Sequence, residues 1–282
     1  MPMTINTNIA SLNAQRNLNM SQGSLATSMQ RLSSGLRVNS AKDDAAGLAI
    51  AERMNSQVRG MNVAVRNAND GISMSQTAEG ALAQVSNSLQ RMRELAVQAR
   101  NSTNSSSDKD SLNKEFAQLQ SEIGRVLGGT TFNGKHILGT DATSLTFQIG
   151  ANTTTDDTIT VTTVNMTQDT TVTAVTGTTA VIDASADVSA IGLVIDNIDK
   201  AIDNVNDTRA TFGATQSRFD AIITNLQTSV ENQSAARSRI MDADFASETA
   251  NMSRAQVLQQ AGTAMVAQAN QLPQQVLKLL QG

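Results

Sequence analysis

Several residue types that anchor ordinary globular domains are missing from this chain or scarce in it. Its 282 residues include no Cys, no Trp and no Tyr, with one His, two Pro and 2% aromatic residues. The absence of Cys excludes disulfides, a thiol nucleophile and structural zinc. The scarcity of aromatic side chains argues against a core built around large rings, although 39% hydrophobic residues are enough to bury a core of another kind.

Charge and hydropathy argue against two further classes of protein. The formal net charge of -4 argues against a nucleic-acid partner, because neutralising phosphates needs concentrated Lys and Arg. No stretch reaches the roughly 18 apolar residues of a membrane span, so no membrane insertion is expected. The segment from Met1 lacks the basic region and apolar block of a secretory signal, which predicts a cytoplasmic protein unless another export route exists.

Hydrophobic periodicity predicts a mainly α protein with a minor antiparallel β unit. Apolar residues at steps of three and four predict one long amphipathic helix from about 45 to 100, roughly 80 Å long if unbroken. Residues 101–108 predict a connection, and residues 112–126 predict a second helix that Gly128 and Gly129 stop. Residues 194–230 predict a third long helix. Between them, alternating Thr and Val at 158–162 and 171–175 predict strands of a small antiparallel unit.

Both ends of the chain carry apolar residues at alternating steps of four and three, the spacing of a coiled-coil seam. A narrow seam cannot be buried alone, so the pattern predicts either pairing of the two terminal helices or pairing between chains. The predicted seam residues of the N-terminal end are Leu18, Leu25, Met29, Leu32 and Leu36. Those of the C-terminal end are Leu258, Met265, Ala269, Leu272, Val276 and Leu279.

The nearest approach to a catalytic motif is the stretch 129–136, which fits a phosphate-binding loop up to its last position. At that position His136 replaces the hydroxyl that magnesium needs, and the loop follows a helix where the motif requires a strand. A glycine-rich turn is the preferred interpretation, with His136 as a solvated loop residue.

Two carboxylate pairs could be interpreted as acid and base groups, namely Asp43 with Asp44 and Asp242 with Asp244. Both pairs precede Ala-rich helical stretches, where capping explains them without catalysis. We therefore expect no enzyme activity, no catalytic residue, no cofactor and no metal.

Several long motifs resemble those of the bacterial flagellins, in the same order along the chain. The most diagnostic are RLSSGLR at 31–37 and AKDDAAGL at 41–48. The others are INTN at 5–8, SLNAQ at 11–15, LQRMRELAVQ at 89–98, FNGK at 132–135, SRIMDADFA at 238–246 and QANQLPQ at 268–274. The resemblance covers about 1–140 and 190–282, and the phosphate-loop near match lies across one of these motifs.

The resemblance implies a structural subunit that polymerises into the bacterial flagellar filament and gives swimming motility. It implies terminal helices paired as a coiled coil near the filament axis, within a long helical rod. The implied domains are 1–44 with 243–282 for the coiled-coil filament core, 45–140 with 190–242 for the helical rod, and 141–189 for a small solvent-facing β-hairpin region. Unfolded export through the flagellar type III channel would place the protein outside the cell, in the flagellum, without a cleaved signal.

The resemblance also implies partners. These are further copies of the same chain, a flagellar export chaperone at the C-terminal helices over about 245–280, and the hook-filament junction and filament cap proteins. A host Toll-like innate receptor would recognise the rod helix through Arg91, Glu94 and Leu95, with Glu115 on the next helix as a weaker match. Replacing Arg91 and Leu95 together is expected to abolish receptor signalling.

Two alternatives remain open at this point. A hook-filament junction protein shares related terminal seams, although the close match over 31–48 favours the filament subunit. An enzyme that uses the loop 129–135 on nucleotide would show saturable nucleotide binding in the presence of magnesium, and its absence would exclude this alternative.

Overall fold

The structure is a computed structural model that describes the backbone of residues 7–281 and the side chains of residues 7–271. The chain divides into two compact units. The terminal unit consists of Met1–Ser56 and Glu231–Gly282, and the central unit consists of Gln57–Val230. The expected division into three domains stays a prediction.

The predicted fold class is confirmed. In the part of the chain that the structure describes, the helices are α1 (Ile9–Ser34), α2 (Ala45–Ala99), α3 (Ser106–Gly129), α4 (Thr170–Thr176), α5 (Val188–Met241) and α6 (Phe245–Gln281). The strands are β1 (Thr131–Phe132), β2 (Lys135–His136), β3 (Ser144–Gln148) and β4 (Thr158–Thr162), with a 3-10 turn at Thr155–Asp157. None of the helices, over the residues described, has the length and apolar character needed to cross a membrane.

Polar side chains set the ends of the shorter helices. Asn8 caps α1, its Oδ1 accepting a hydrogen bond of 3.0 Å from the Ser11 N–H, and α1 ends at Gly35 with a φ of 72°. Ser105 and Asp108 form a capping box at the start of α3, in which each side chain accepts from the other residue's backbone N–H. The connection predicted at 101–108 is therefore shorter than expected, because α3 already begins at Ser106.

The core of the central unit is formed by α2, α3 and α5 together with the strands and α4. Helix α2 contributes buried residues at steps of three and four, which confirms the predicted amphipathic face. These residues are Met74, Ala78, Leu82, Val85, Leu89, Met92, Ala96 and Ala99. Phe116 and Ile123 of α3 and Ile198 and Val205 of α5 pack into the same core.

One glycine of α2 faces a core aromatic ring. A Cβ at Gly71 would lie 2.6 Å from Phe219 Cζ, whereas a Cβ at Gly80 would meet nothing within 4 Å. Phe219 is fully buried, and its ring meets that of Phe147 edge-on with the ring centroids 5.5 Å apart. The missing side chain at Gly71 thus makes room for one of the few aromatic residues in the chain.

Two antiparallel hairpins follow α3. In the first, Asn133 and Gly134 have φ values of 49° and 78° and connect β1 to β2, so the glycine-rich turn predicted here is present. In the second, β3 pairs with β4 from Ser144 opposite Thr162 to Gln148 opposite Thr158. The strand predicted at 158–162 is confirmed, and its Ile159 and Val161 side chains are buried in the core.

The strand predicted at 171–175 is wrong, because these residues form α4. Asp169 caps this helix, its Oδ1 accepting a hydrogen bond of 2.9 Å from the Thr171 N–H. Val172 and Val175 are both buried in the core, one helical turn apart, whereas in a strand they would point to opposite faces. Tertiary packing therefore overrides the β-propensity of Thr and Val, and the middle segment is more than a hairpin.

In the terminal unit, α1 and α6 pack antiparallel, which confirms the predicted pairing of the terminal helices. At one end Asn8 Nδ2 donates to the Ala269 carbonyl at 2.7 Å, and at the other Arg31 Nη1 donates to Glu248 Oε1 at 2.9 Å. The connections that flank the pair are also joined, because the Ala243 N–H donates to the Gly35 carbonyl at 2.9 Å.

Candidate assembly and recognition surfaces

The interface between α1 and α6 uses residues at alternating steps of three and four on each helix, as in a coiled coil. Half of its side chains are Ser, Ala or Gly. On α1 this series consists of the buried or half-buried Ser11, Ala14, Leu18, Ser21, Leu25, Ser28 and Leu32, and the half-buried Arg31 lies beside it. On α6 they are Glu248, Met252, Ala255, Gln259, Gly262, Val266 and Ala269.

The phase of this seam differs in part from the predicted one. Met29, Leu258 and Met265 lie outside the interface, with side chains that are 55%, 52% and 63% exposed. The reason is that small residues let the helices approach: a Cβ at Gly262 would lie 3.2 Å from Leu18 Cδ1. Leu258 and Met265 are large and apolar, so the sequence pattern includes them in the seam, although they lie on the flanks of α6 and not on its contact face.

The other predicted seam residues have different positions. Leu18, Leu25, Leu32 and Ala269 lie in the interface. Leu36 is half-buried beyond the end of α1, against a small cluster of Val38, Ala51 and Met241. Leu272, Val276 and Leu279 belong to α6, but their side chains lie outside the described residues. The part that the predicted seam residues have in assembly stays a prediction.

A polar group inside the seam was missed by the sequence analysis. Glu248 is 7% exposed and accepts hydrogen bonds from Ser28 Oγ at 3.0 Å and from Arg31 Nη1 at 2.9 Å. The bond from Arg31 is the main cause that holds the pKa of the Glu248 carboxyl below its ordinary value. Steps of seven back from the predicted seam residue Ala269 reach Gly262, Ala255 and then Glu248, so the heptad pattern could have found this position.

A groove follows one side of the α1 and α6 pair. Its wider part encloses about 990 Å³ and its narrower part about 380 Å³. Asn17, Ser21 and Leu258 line both parts, so the two are continuous. Met20 borders the wider part and Met265 the narrower, and both are more than half exposed. This groove, called the α1/α6 groove below, is thus lined by both polar and apolar side chains.

The residues expected to meet a receptor form an exposed charged cluster on α2 and α3. Arg91 Nε donates to Glu115 Oε1 at 2.8 Å, and Arg91 Nη1 donates to Glu94 Oε2 at 2.9 Å. These two bonds, the one to Glu115 first, raise the pKa of the Arg91 guanidinium above its ordinary value. Leu95 differs from the other three, because its side chain is 1% exposed and lies in the core beneath them.

The near match to a phosphate-binding loop follows helix α3 and leads into the β1–β2 hairpin, as the sequence indicated. His136 was expected to be solvated, but it lies half-buried in β2, and its Nδ1 has no hydrogen-bond partner among the described residues. Across the described side chains, no cluster of three or more His, Asp or Glu residues could hold a metal ion.

The two carboxylate pairs stabilise turns and helix starts. Asp44 Oδ1 accepts from the Gly47 N–H at 2.8 Å, and Asp244 Oδ1 accepts from the Ala246 N–H at 3.0 Å. Asp43 accepts from the backbone N–H groups of residues 39 and 40, and these bonds lower the pKa of its carboxyl. The capping interpretation is therefore confirmed for Asp44 and Asp244, whereas Asp43 holds a turn and Asp242 accepts from Ser238 Oγ at 2.7 Å at the end of α5.

Two sequence-family models match this chain. One is described as the bacterial flagellin N-terminal helical region and matches residues 5–143, and the other is described as the bacterial flagellin C-terminal helical region and matches residues 195–280. Together they cover both units of the chain.

Curated relatives match over nearly the full length. A flagellin of Halalkalibacterium halodurans is 45% identical over 280 residues, which cover 99% of this chain and 100% of that protein. A flagellin of Bacillus subtilis is 42% identical over 305 residues, with the same coverage of 99% and 100%. A solved structure from Vibrio parahaemolyticus, described as a flagellar hook-associated protein, matches with a TM-score of 0.62 over 71% of this chain and all of that one. Its sequence identity of 13% limits that match to the fold.

Proposed function

This chain belongs to the bacterial flagellin family, and from that premise we propose that the α1/α6 groove is the surface on which one subunit docks to the next. The protein is a structural subunit of the bacterial flagellar filament and not an enzyme. Its similarity to flagellins extends over the whole chain, which favours the filament subunit over a hook-filament junction protein.

The observation that carries this proposal is the unburied apolar surface around the pair. Leu258 is 52% exposed although it stands between the two parts of the groove, and Met20 and Met265 at its edges are 58% and 63% exposed. Contiguous exposed apolar side chains of this kind mark interaction surfaces on soluble proteins. In a filament, the molecule that fills this groove is a second copy of the chain. Because the docking surface differs from the surface that it meets, repeated docking builds an open helical array.

Replacing Leu258 with Asn tests this proposal in the full-length chain. Burying a Leu side chain contributes about 1.5–3 kcal/mol, so Leu258→Asn should slow seeded filament elongation by about tenfold or more. Elongation is measured by light scattering and electron microscopy with short wild-type filaments as seeds. Because the side chain is already exposed in the single chain, the helical content of the variant should not change.

Val257→Asn is the matched control. Val257 precedes Leu258 on α6 and is 64% exposed, but it is not among the residues that line the groove. Elongation of this variant should stay close to that of the wild type. Equal elongation by both variants and the wild type would contradict docking through the groove.

We further propose that a Toll-like innate receptor of the host recognises the Arg91 cluster on α2 and α3. The bonds from Arg91 to Glu94 and Glu115 hold the guanidinium in one orientation, and all three side chains are about half exposed or more. Such a pre-ordered Arg is the type of residue that dominates many binding interfaces. Leu95 would stabilise this face by packing in the core beneath it, since its side chain is buried.

Arg91→Ala is a cleaner test than the double replacement of Arg91 and Leu95, because changing Leu95 also disturbs the core. We expect Arg91→Ala to lower signalling potency in receptor-bearing cells by about thirtyfold, the loss typical of an Arg hot spot. Arg125→Ala serves as the control, because Arg125 forms a similar exposed ion pair with Glu122 on α3. Unchanged potency of a folded Arg91→Ala chain would refute this recognition site.

The remaining expected partners are proposals that rest on the family. An export chaperone at about 245–280 would cover the exposed Val257, Leu258 and Met265 before assembly. Junction and cap proteins would meet the surfaces that a terminal subunit leaves open at either end of a filament. Unfolded export through the flagellar type III channel without a cleaved signal is proposed on the same ground.

A further inference from the structure

Among the described residues of the terminal unit, three methionine side chains are exposed, in contrast to those of the core. Met20, Met29 and Met265 are 58%, 55% and 63% exposed, whereas Met74 and Met92 are 1% and 0% exposed. A thioether at the surface is open to two-electron oxidants, and a buried one is shielded from them.

Two of these three residues lie at the α1/α6 groove. Met20 lines its wider part and Met265 its narrower part, each together with Leu258. Met29 belongs to α1 as well, but it is absent from the lining of either part. If a second copy docks in the groove, as the proposed function requires, it covers Met20 and Met265 directly.

We propose that Met20 and Met265 are oxidation sites at which peroxides block assembly of the free subunit. A lone pair of the sulfur attacks one oxygen of hydrogen peroxide, so that an S–O bond forms while the O–O bond breaks. The departing hydroxide takes the proton from the sulfur-bound oxygen and leaves as water. The sulfur is oxidised by two electrons to the sulfoxide, and the peroxide is reduced by the same two.

The sulfoxide changes the edge of the groove from apolar to polar. Docking would have to remove the S–O dipole from water, and that is unfavourable unless the arriving surface offers a hydrogen-bond donor. The same geometry gives protection after assembly, since a covered sulfur is no longer accessible. Sulfoxides at Met20 and Met265 should therefore form readily in the free subunit and slowly in the filament.

The experiment treats the full-length free chain with hydrogen peroxide, reads each methionine by peptide mass spectrometry and then measures seeded elongation. Met20 and Met265 should oxidise before Met74 and Met92, and elongation should fall by about tenfold or more, as expected for burying one unsatisfied polar group. Treatment with methionine sulfoxide reductases should restore elongation. Peroxide applied to finished filaments should leave Met20 and Met265 largely unmodified.

Conservative variants distinguish the effect of oxidation in the groove from the effect of oxidation elsewhere on the surface. The double variant Met20→Leu, Met265→Leu keeps side chains of similar volume without sulfur, and it should elongate normally before and after peroxide. Met29→Leu is the matched control and should remain as sensitive as the wild type. Normal elongation of a chain oxidised at both Met20 and Met265, or a double variant as sensitive as the wild type, would overturn the proposal. If the untreated chain itself fails to elongate, the proposed docking function fails, and this proposal fails with it.

Discussion

At the scale of single residues, the seam between α1 and α6 depends on one buried carboxylate as well as on apolar contacts. Glu248 is held by Ser28 and Arg31 of the opposite helix, at 3.0 and 2.9 Å. A buried charge is costly unless it is paired and hydrogen-bonded, so this arrangement also fixes which part of α1 faces which part of α6. The two helices of the pair cannot shift along each other without breaking it.

This carboxylate should make the terminal unit sensitive to acid. The pKa of Glu248 is lowered from its ordinary value of 4.5, chiefly by the bond from Arg31, so its stabilisation is complete above pH 4.5 and is lost as the pH falls through the lower folded value. Glu248→Gln should reduce the free energy of unfolding of this unit by about 1–3 kcal/mol at pH 7. Hydrogen exchange of the α6 amides at several pH values measures the difference.

The difference between wild type and Glu248→Gln should shrink as the pH falls from 4.5 through the lower folded pKa, because the Glu248 carboxyl becomes neutral first in the unfolded chain and then in the folded one. Glu52→Gln, which changes an exposed carboxylate on α2 of the same unit, should have little effect at any of these pH values. A difference between wild type and Glu248→Gln that stays constant down to pH 3 would show that the charge of Glu248 contributes nothing.

At the scale of elements, glycines within one helix have different physical roles. Gly71 of α2 leaves space for the ring of Phe219, while Gly80 of the same helix faces open space. An interior glycine costs a helix about 0.5–1 kcal/mol relative to Ala, so of these two glycines Gly71 alone is compensated by packing.

Alanine substitutions should therefore change stability in opposite directions. Gly71→Ala places a Cβ 2.6 Å from Phe219 Cζ and should destabilise the central unit by about 1–3 kcal/mol, the usual cost of overpacking a core. Gly80→Ala should stabilise it by about 0.5–1 kcal/mol. Denaturant unfolding monitored by circular dichroism tests both, and a stabilising Gly71→Ala would contradict the assigned packing.

Elements also differ in how well the sequence predicts them. Helices α2, α3 and α5 follow from repeats of apolar residues long enough to outweigh single glycines. Residues 171–175 were mistaken for a strand, because the burial of Val172 and Val175 depends on neighbours far along the chain and the local cap at Asp169 was overlooked. The contact face of α6 was predicted only in part, because Ala255 carries little hydrophobic signal while the exposed Leu258 and Met265 carry more. The exposed Arg91 cluster could be located only through a family resemblance, since composition alone makes it an ordinary solvated face.

At the scale of the whole molecule, we propose that the chain keeps part of its apolar surface for other copies of itself. The terminal unit closes a narrow seam of small residues and leaves Met20, Leu258 and Met265 outside it. The central unit has its own core, which includes the three most voluminous fully buried side chains, Phe116, Phe212 and Phe219. We therefore expect stability of the central unit and assembly through the terminal unit to be separable.

The most direct test compares seeded polymerisation of the full chain with that of a chain restricted to residues 45–242, by sedimentation and electron microscopy. Long regular filaments are expected from the full chain, and only folded monomers from the shortened chain, which keeps the central unit Gln57–Val230. Filaments from the shortened chain, or a full chain that stays monomeric with every seed, would contradict assembly through the terminal helices.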